Sequence, residues 1–242
     1  MPRSAPDWYP LRRQVYSTVS TDMAEVAARL GSPVVHDRRG TVIYIEDFAS
    51  GLSHWILSVP TGGAADLSLF RARHGLLSLR LFSPTGAFAA TEAFRRFPPP
   101  PLAGRVGVES SFDAYQGVGL VQLLLSYRDG QRAATYGVRF SAASAEVTYF
   151  DATGSWATLV PPFTLPVDLD RFYTWKLVVD PARYQYVRLL IDDRIYDMSG
   201  IAAYTQPDTS FTSLRVGVGA LGTASGSITA YIDDIIVTVD EP

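Results

Sequence analysis

Residues 172–194 read Phe-Tyr-Thr-Trp-Lys-Leu-Val-Val-Asp, then Pro-Ala-Arg-Tyr-Gln, then Tyr-Val-Arg-Leu-Leu-Ile-Asp-Asp-Arg. Successive side chains of an extended chain point to opposite faces, so Tyr173, Trp175, Leu177 and Val179 share one face. An aromatic and aliphatic row of this kind is a core row, and Trp175 is expected to be buried in it. The stretch therefore predicts two strands, 173–179 and 186–191, joined by a turn.

The same period-two pattern, rich in Val, Ile, Tyr and Phe, recurs outward from this pair about every ten positions. It predicts further strands at 42–48, 76–82, 106–112, 118–127, 133–140, 146–150, 213–218 and 228–239. Regular short strands separated by turn residues specify an all-β sandwich or barrel. Asp129-Gly130, between two such runs, is the strongest hairpin signal, with both central residues of a type I′ turn at positive φ. The prolines at 98–101 interrupt the series, because they cannot donate to a ladder and favour polyproline II. They read as a stiff loop at the sandwich rim, with docking to an aromatic groove on a partner as the alternative.

Residues 1–40 differ from this body. Pro2, Pro6, Pro10 and Pro33 keep them extended, and one helix is predicted at 21–30, with Asp22 and Glu25 in its first turn and Gly31 as its stop. Three turns are too few to stand alone, so the stripe of Met23, Val26, Ala27 and Leu30 must dock. With Trp8, Tyr9, Arg12 and Arg13 these residues form a candidate partner-binding arm, followed by a sandwich over 41–242.

Composition sets the outer bounds. Of 242 residues, 47% are hydrophobic and 19% charged, which suffices for a sizeable core. The net charge of −3 supplies no general attraction to phosphate or anionic lipid, so neither nucleic acid nor membrane is an expected partner. The absence of cysteine excludes disulfides and thiolate metal sites. The N-terminal stretch lacks the apolar core of a signal peptide, which leads to the expectation of cytoplasmic synthesis and release by lysis or a dedicated assembly route.

Three segments together resemble the concanavalin A-like lectin and laminin G-like superfamily. Tyr44-Ile-Glu-Asp-Phe-Ala-Ser-Gly-Leu-Ser-His-Trp55 is similar to its opening strand, with an acidic-Phe step before a turn and a Trp. The quoted 172–194 pair is similar to its Trp-bearing hairpin, although Asp192-Asp193 stands where Asp-Gly is usual. Arg215-Val-Gly-Val-Gly219 leading to Tyr231-Ile-Asp-Asp-Ile235 looks like its closing strand. The resemblance spans about residues 42–240 and implies a two-sheet antiparallel jelly roll. By the same resemblance, Asp233 with Glu46 and Asp47 are candidate ligands of a structural Ca²⁺. Ala49 replaces a further donor, and hydrogen bonding of Asp233 to backbone or an Arg is the alternative.

Glycosidases of this superfamily place alternating carboxylates on one strand. Here Glu146 and Asp151 are five apart, so on a regular strand they face opposite ways and cannot cooperate. His36, His54 and His74 have no spaced metal-ligand partner. No enzyme is expected. Trp156, in a turn-like segment, forms a candidate glycan-binding patch with Tyr149, Tyr127 and Tyr136. Asp233 alone interrupts the apolar face Tyr231, Ile235, Val237, Val239, and a carboxylate so placed must be paired or ligated. The expected function is that of a non-enzymatic protein of a large assembly, such as a virion decoration, head or tail component, whose arm docks on other subunits; the alternative is a carbohydrate-binding module.

Overall fold

In a computed structural model, residues 40–87, 89–99, 104–160 and 171–242 are described. The arm, its helix at 21–30 and the partner-binding residues Trp8, Tyr9, Arg12, Arg13, Met23, Val26 and Leu30 lie outside them, as do Pro100 and Pro101. The described residues contain no helix long and apolar enough to cross a membrane.

The strands are β1 Thr41–Glu46, β2 Ile56–Ser58, β3 Ala64–Ser68, β4 Ser78–Ser83, β5 Ala90–Phe97, β6 Arg105–Gly117, β7 Leu120–Arg128 and β8 Arg132–Ser141. They continue as β9 Val147–Phe150, β10 Trp156–Val160, β11 Tyr173–Asp180, β12 Gln185–Ile191, β13 Arg194–Asp197, β14 Tyr204–Pro207, β15 Ser213–Leu221 and β16 Ile228–Glu241. One sheet has the order β13-β12-β11-β6-β16-β4-β3, with β1 also on β16. The other has the order β10-β9-β8-β7-β15-β5-β2, with β14 also on β8. All pairings are antiparallel. The ten strands expected from alternation are all present, and β2, β3, β5, β10, β13 and β14 add to them.

Between the sheets lies one core built from the inward rows. The first sheet contributes Val106, Val108, Phe112, Trp175, Leu177, Leu189 and Val237, and the second Leu123, Leu125, Tyr136, Val138, Leu214 and Val216. Each fully buried large side chain contributes about 1.5–3 kcal/mol of transfer free energy. Trp175 is central: its ring lies 4.3 Å from Phe112, and its Nε1 donates to Ser110 Oγ at 2.7 Å. Tyr186 ties the sheets together, its hydroxyl donating to Phe150 O at 2.7 Å and accepting from Gly137 N at 2.9 Å.

Two local details depart from expectation. In the β7–β8 turn only Gly130 has positive φ, 90°. Asp129 pairs with Arg132, so Gly130 and Gln131 are the central residues, and glycine occupies the first of them. The second detail changes a face. β16 pairs with β4 through Ile232 and with β1 from Ile235 onward, and the register to β6 shifts between Asp233 and Ile236. At that shift Asp234 takes a φ of 50°, and a bulge there inserts an extra residue. Ile235, Val237 and Val239 therefore face the core, whereas Tyr231 and Asp233 face outward. Asp233 does not interrupt the core face, because the simple alternation that placed it there breaks one residue later.

Candidate functional site

Trp156 does not join Tyr149, Tyr127 and Tyr136 in one patch. Tyr127 and Tyr136 are buried core residues of β7 and β8, and Tyr149 packs its ring 5.9 Å from Tyr186 on the interior side of β9. Trp156 opens β10 opposite Phe150 and projects from the other face of the sheet, where it meets Phe150 and Arg139. Alternation separates them: Tyr136 and Val138 point inward, so Gly137 and Arg139 point out.

Glu46, Asp47 and Asp233 do not converge on a cation either, and no group of three metal-ligating side chains occurs among the described residues. Glu46 is buried and accepts from Phe48 N at 2.9 Å, Trp55 Nε1 at 3.0 Å and the Tyr44 hydroxyl. Asp47 is exposed and caps Ala49 N at 3.0 Å. Asp233 accepts from Arg73 N at 2.8 Å, His74 N at 3.2 Å and Asp234 N at 2.9 Å. Donors within the fold already engage all three carboxylates. Glu146 and Asp151 flank β9; Asp151 caps its own turn through Thr153 N and Ser155 N, both at 2.9 Å.

The outer face of the second sheet carries two rows that cross its strands. Paired residues place Arg139 of β8, Gln122 of β7, Gly219 of β15 and Glu92 of β5 side by side. One step along the strands, Gly137, Leu124, Gly217, Phe94 and Ile56 form the neighbouring row, extended at its other end by Phe150 and Trp156. Aromatic rings thus stand at both ends of a row whose middle is glycine and leucine. Four strand spacings separate Phe150 from Phe94, about 19 Å, the length of an oligosaccharide rather than a monosaccharide.

The glycines have separate reasons. A Cβ on Gly137 would lie 2.8 Å from Leu124 Cδ2 and 2.9 Å from Trp156 Cη2, so only glycine leaves room for the tip of the Trp156 ring. A Cβ on Gly219 would meet Gln122 Nε2 at 2.8 Å, where Gln122 reaches across to Glu92. At Gly217 the nearest contact is an ordinary 3.5 Å to Phe94 Cβ, so a methyl group would fit there.

The polar row is wired in one direction. Gln122 Nε2 donates to Glu92 Oε1 at 2.5 Å, which turns its Oε1 toward Arg139 Nε at 3.1 Å. The Arg139 guanidinium lies 3.7 Å from the Trp156 ring centre, a cation–π contact. Arg215 covers Phe94 at 3.8 Å and stands 4.0 Å from Glu92 Oε2. Burial pushes Arg139 down to about 10 and lowers Arg215 as well, with Glu92 opposing both shifts. Glu92 is the only acidic residue in the strands of this sheet.

The outer face of the first sheet is organised differently. The segment between β3 and β4 folds over it and is pinned by Arg71–Asp113 at 2.6 Å, by the Asp233 contacts and by His74 Nδ1 to Asp234 at 2.6 Å. Glu241 accepts from Lys176 at 2.7 Å and Arg188 at 2.8 Å. Burial raises Glu109 to about 8 and Asp233 to about 7, the latter with help from the Asp234 charge.

No protein-family model matches the sequence, and a search of curated proteins found no match. Solved structures do match in shape. Cellulose induced protein, Cip1, superposes with a TM-score of 0.54 at 16% identity over 81% of this chain and 96% of its own. Metal-free lectin I-B4 from Griffonia simplicifolia gives 0.50 at 12% identity over 81% and 99%. The carbohydrate esterase vb_24B_21 of Shiga toxin-encoding bacteriophage phi24B gives 0.53 at 16% identity over 84% and 100%. At such identities the likeness shows architecture, and the architecture of this chain is the concanavalin A-like jelly roll.

Proposed function

We propose that the chain is a non-enzymatic polysaccharide-binding domain that holds its ligand across the outer face of the second sheet. The observation that carries this reading is the glycine-floored row between Trp156/Phe150 and Phe94, with Arg139, Gln122 and Glu92 beside it. Guanidinium planes backed by aromatic rings, with an amide and a carboxylate beside them, can meet sugar rings and hydroxyls, the composition of a specific ligand site. A lone Glu92 lacks the second carboxylate that paired-acid glycoside hydrolysis requires. Names containing lectin and carbohydrate esterase among proteins of this shape agree with a sugar ligand.

The test is titration of the whole chain against a panel of soluble polysaccharides, with reducing ends and unsaturated products assayed in parallel. Trp156→Ala should weaken the best ligand about tenfold, because it removes the ring that holds the Arg139 plane in place. Binding unchanged in that variant, or no polysaccharide bound at all, sinks the reading; accumulation of product sinks its non-enzymatic part.

A structural role in a large assembly, such as a virion, is the second reading. Leu69, Phe70 and Leu76 favour it, being 75%, 66% and 78% exposed on the opposite side of the sandwich. Clustered exposed apolar side chains mark interaction surfaces. A virion component that recognises surface glycans would use both faces.

A further inference from the structure

We infer that the ligand is an acidic polysaccharide, one of whose carboxylates is received by the outward fork of Arg139. This rests on the reading of that face as polysaccharide-binding and adds the class of sugar. Arg139 is held twice, by its Nε bond to Gln122 Oε1 and by its stack on Trp156, so the guanidinium plane is fixed before any ligand arrives. Its two Nη groups meet no acceptor among the described residues and are not sealed from solvent. Paired N–H donors in one plane match a carboxylate in bidentate fashion.

The charge balance points the same way. Arg139, Arg215 and the Arg215 cross-strand neighbour Arg96 face a single strand acid, Glu92, and one Glu92 oxygen is taken by Gln122. The surplus on this face is positive, and at Arg139 it sits in a half-buried trough. A cation withdrawn from water without a partner costs free energy, and such arrangements collect where a ligand supplies the opposite charge. Burial lowers the Arg139 pKa to about 10, which still leaves it charged at neutral pH. Glu92 is a positioning residue: by accepting the Gln122 amide N–H it turns Gln122 Oε1 toward Arg139.

The experiment is calorimetric titration of the full chain with polygalacturonate, alginate and hyaluronan, each beside its carboxyl-reduced form, and with dextran sulfate. At least one acidic polymer should bind tenfold or more tightly than its reduced form. Arg139→Gln should lose about tenfold to a hundredfold for that polymer and little for the reduced one, the worth of a charge-assisted hydrogen-bonded pair. Arg139→Lys, which keeps charge and packing but not the fork, should fall between and covers the case in which the Gln variant misfolds. Equal binding of acidic and reduced polymers, equal binding of dextran sulfate, or full acidic-polymer binding by both variants overturns the carboxylate inference and leaves the polysaccharide reading standing. Binding of none of the polymers overturns both.

Discussion

The two outer faces of the sandwich spend their charges in opposite ways. On the first sheet Glu241 takes both Lys176 and Arg188, Asp113 takes Arg71, and Asp233 is surrounded by backbone donors, so these charges are met within the fold, while Glu109 is buried with one oxygen unbonded. On the second sheet Arg139 is held by an amide and a ring, and its two Nη groups meet no acceptor among the described residues. A charge closed by the protein's own partners is a structural part; a charge oriented but left open is a receptor. The difference can be measured as stability on one face and binding on the other.

The largest effect is expected at Glu241. Glu241→Ala withdraws a buried partner from Lys176 and Arg188 and should cost about 3 kcal/mol in denaturant unfolding. A loss below about 1 kcal/mol would mean that the first face is not held by its charges. Glu109→Gln comes next and acts through pH. Its pKa of about 8 in the fold exceeds the ordinary 4.5, so its contribution to stability is full below about 4.5 and is lost as pH rises toward 8. Asp233, raised to about 7, adds a loss of the same sign from about 3.8 upward. Wild type should melt lower at pH 8 than at pH 5, and Glu109→Gln should raise melting at pH 8 while leaving pH 5 nearly unchanged; identical pH profiles would contradict this.

On the second face the effects shrink. Gly137→Ala must displace Trp156 and Leu124 and should cost about 1–2 kcal/mol, as overpacking does. Gly217→Ala meets only ordinary contacts at 3.5 Å and beyond, so unfolding should shift by less than about 0.5 kcal/mol while ligand affinity drops. Arg139→Gln should have the smallest effect on the fold, within about 0.5 kcal/mol, because no internal ion pair depends on it. A cost at Arg139 equal to that at Glu241 would erase the contrast.

The sequence was most legible where alternation was strongest. Trp175, with Tyr173, Leu177 and Val179 on its face, is buried as their spacing requires. β5 was hidden because Ala90–Phe97 carries Glu92, Arg95 and Arg96, residues that look like a loop until one sees Glu92 and Arg96 on the outer face and Arg95 reaching across to Tyr44. β2, β13 and β14 are too short for any period to register. Asp233 was put on the wrong face because a bulge is a local backbone choice at Asp234, and no hydrophobic pattern announces it. Trp156 was singled out for its turn-like setting, but its neighbours depended on register across five strands. The readable sign of the polar row was Gln122, the one amide in Val121-Gln-Leu-Leu-Leu125: an apolar run broken by a single polar residue.

The position of β15 and β16 has a consequence for how the protein is made. β16 lies between β6 and the β4/β1 edge, β15 lies between β7 and β5, and both come after every other strand in the chain. During synthesis the second sheet therefore exists as two separate pieces and the first as three, β1 among them, with bare ladder edges until residues 213–241 emerge. Val239 must then find Thr41 across nearly the whole described chain, a closure that slows folding. Exposed edges invite pairing with other chains in the interval, so a nascent chain stalled before Ser213 is a hazard for aggregation rather than a smaller version of the domain.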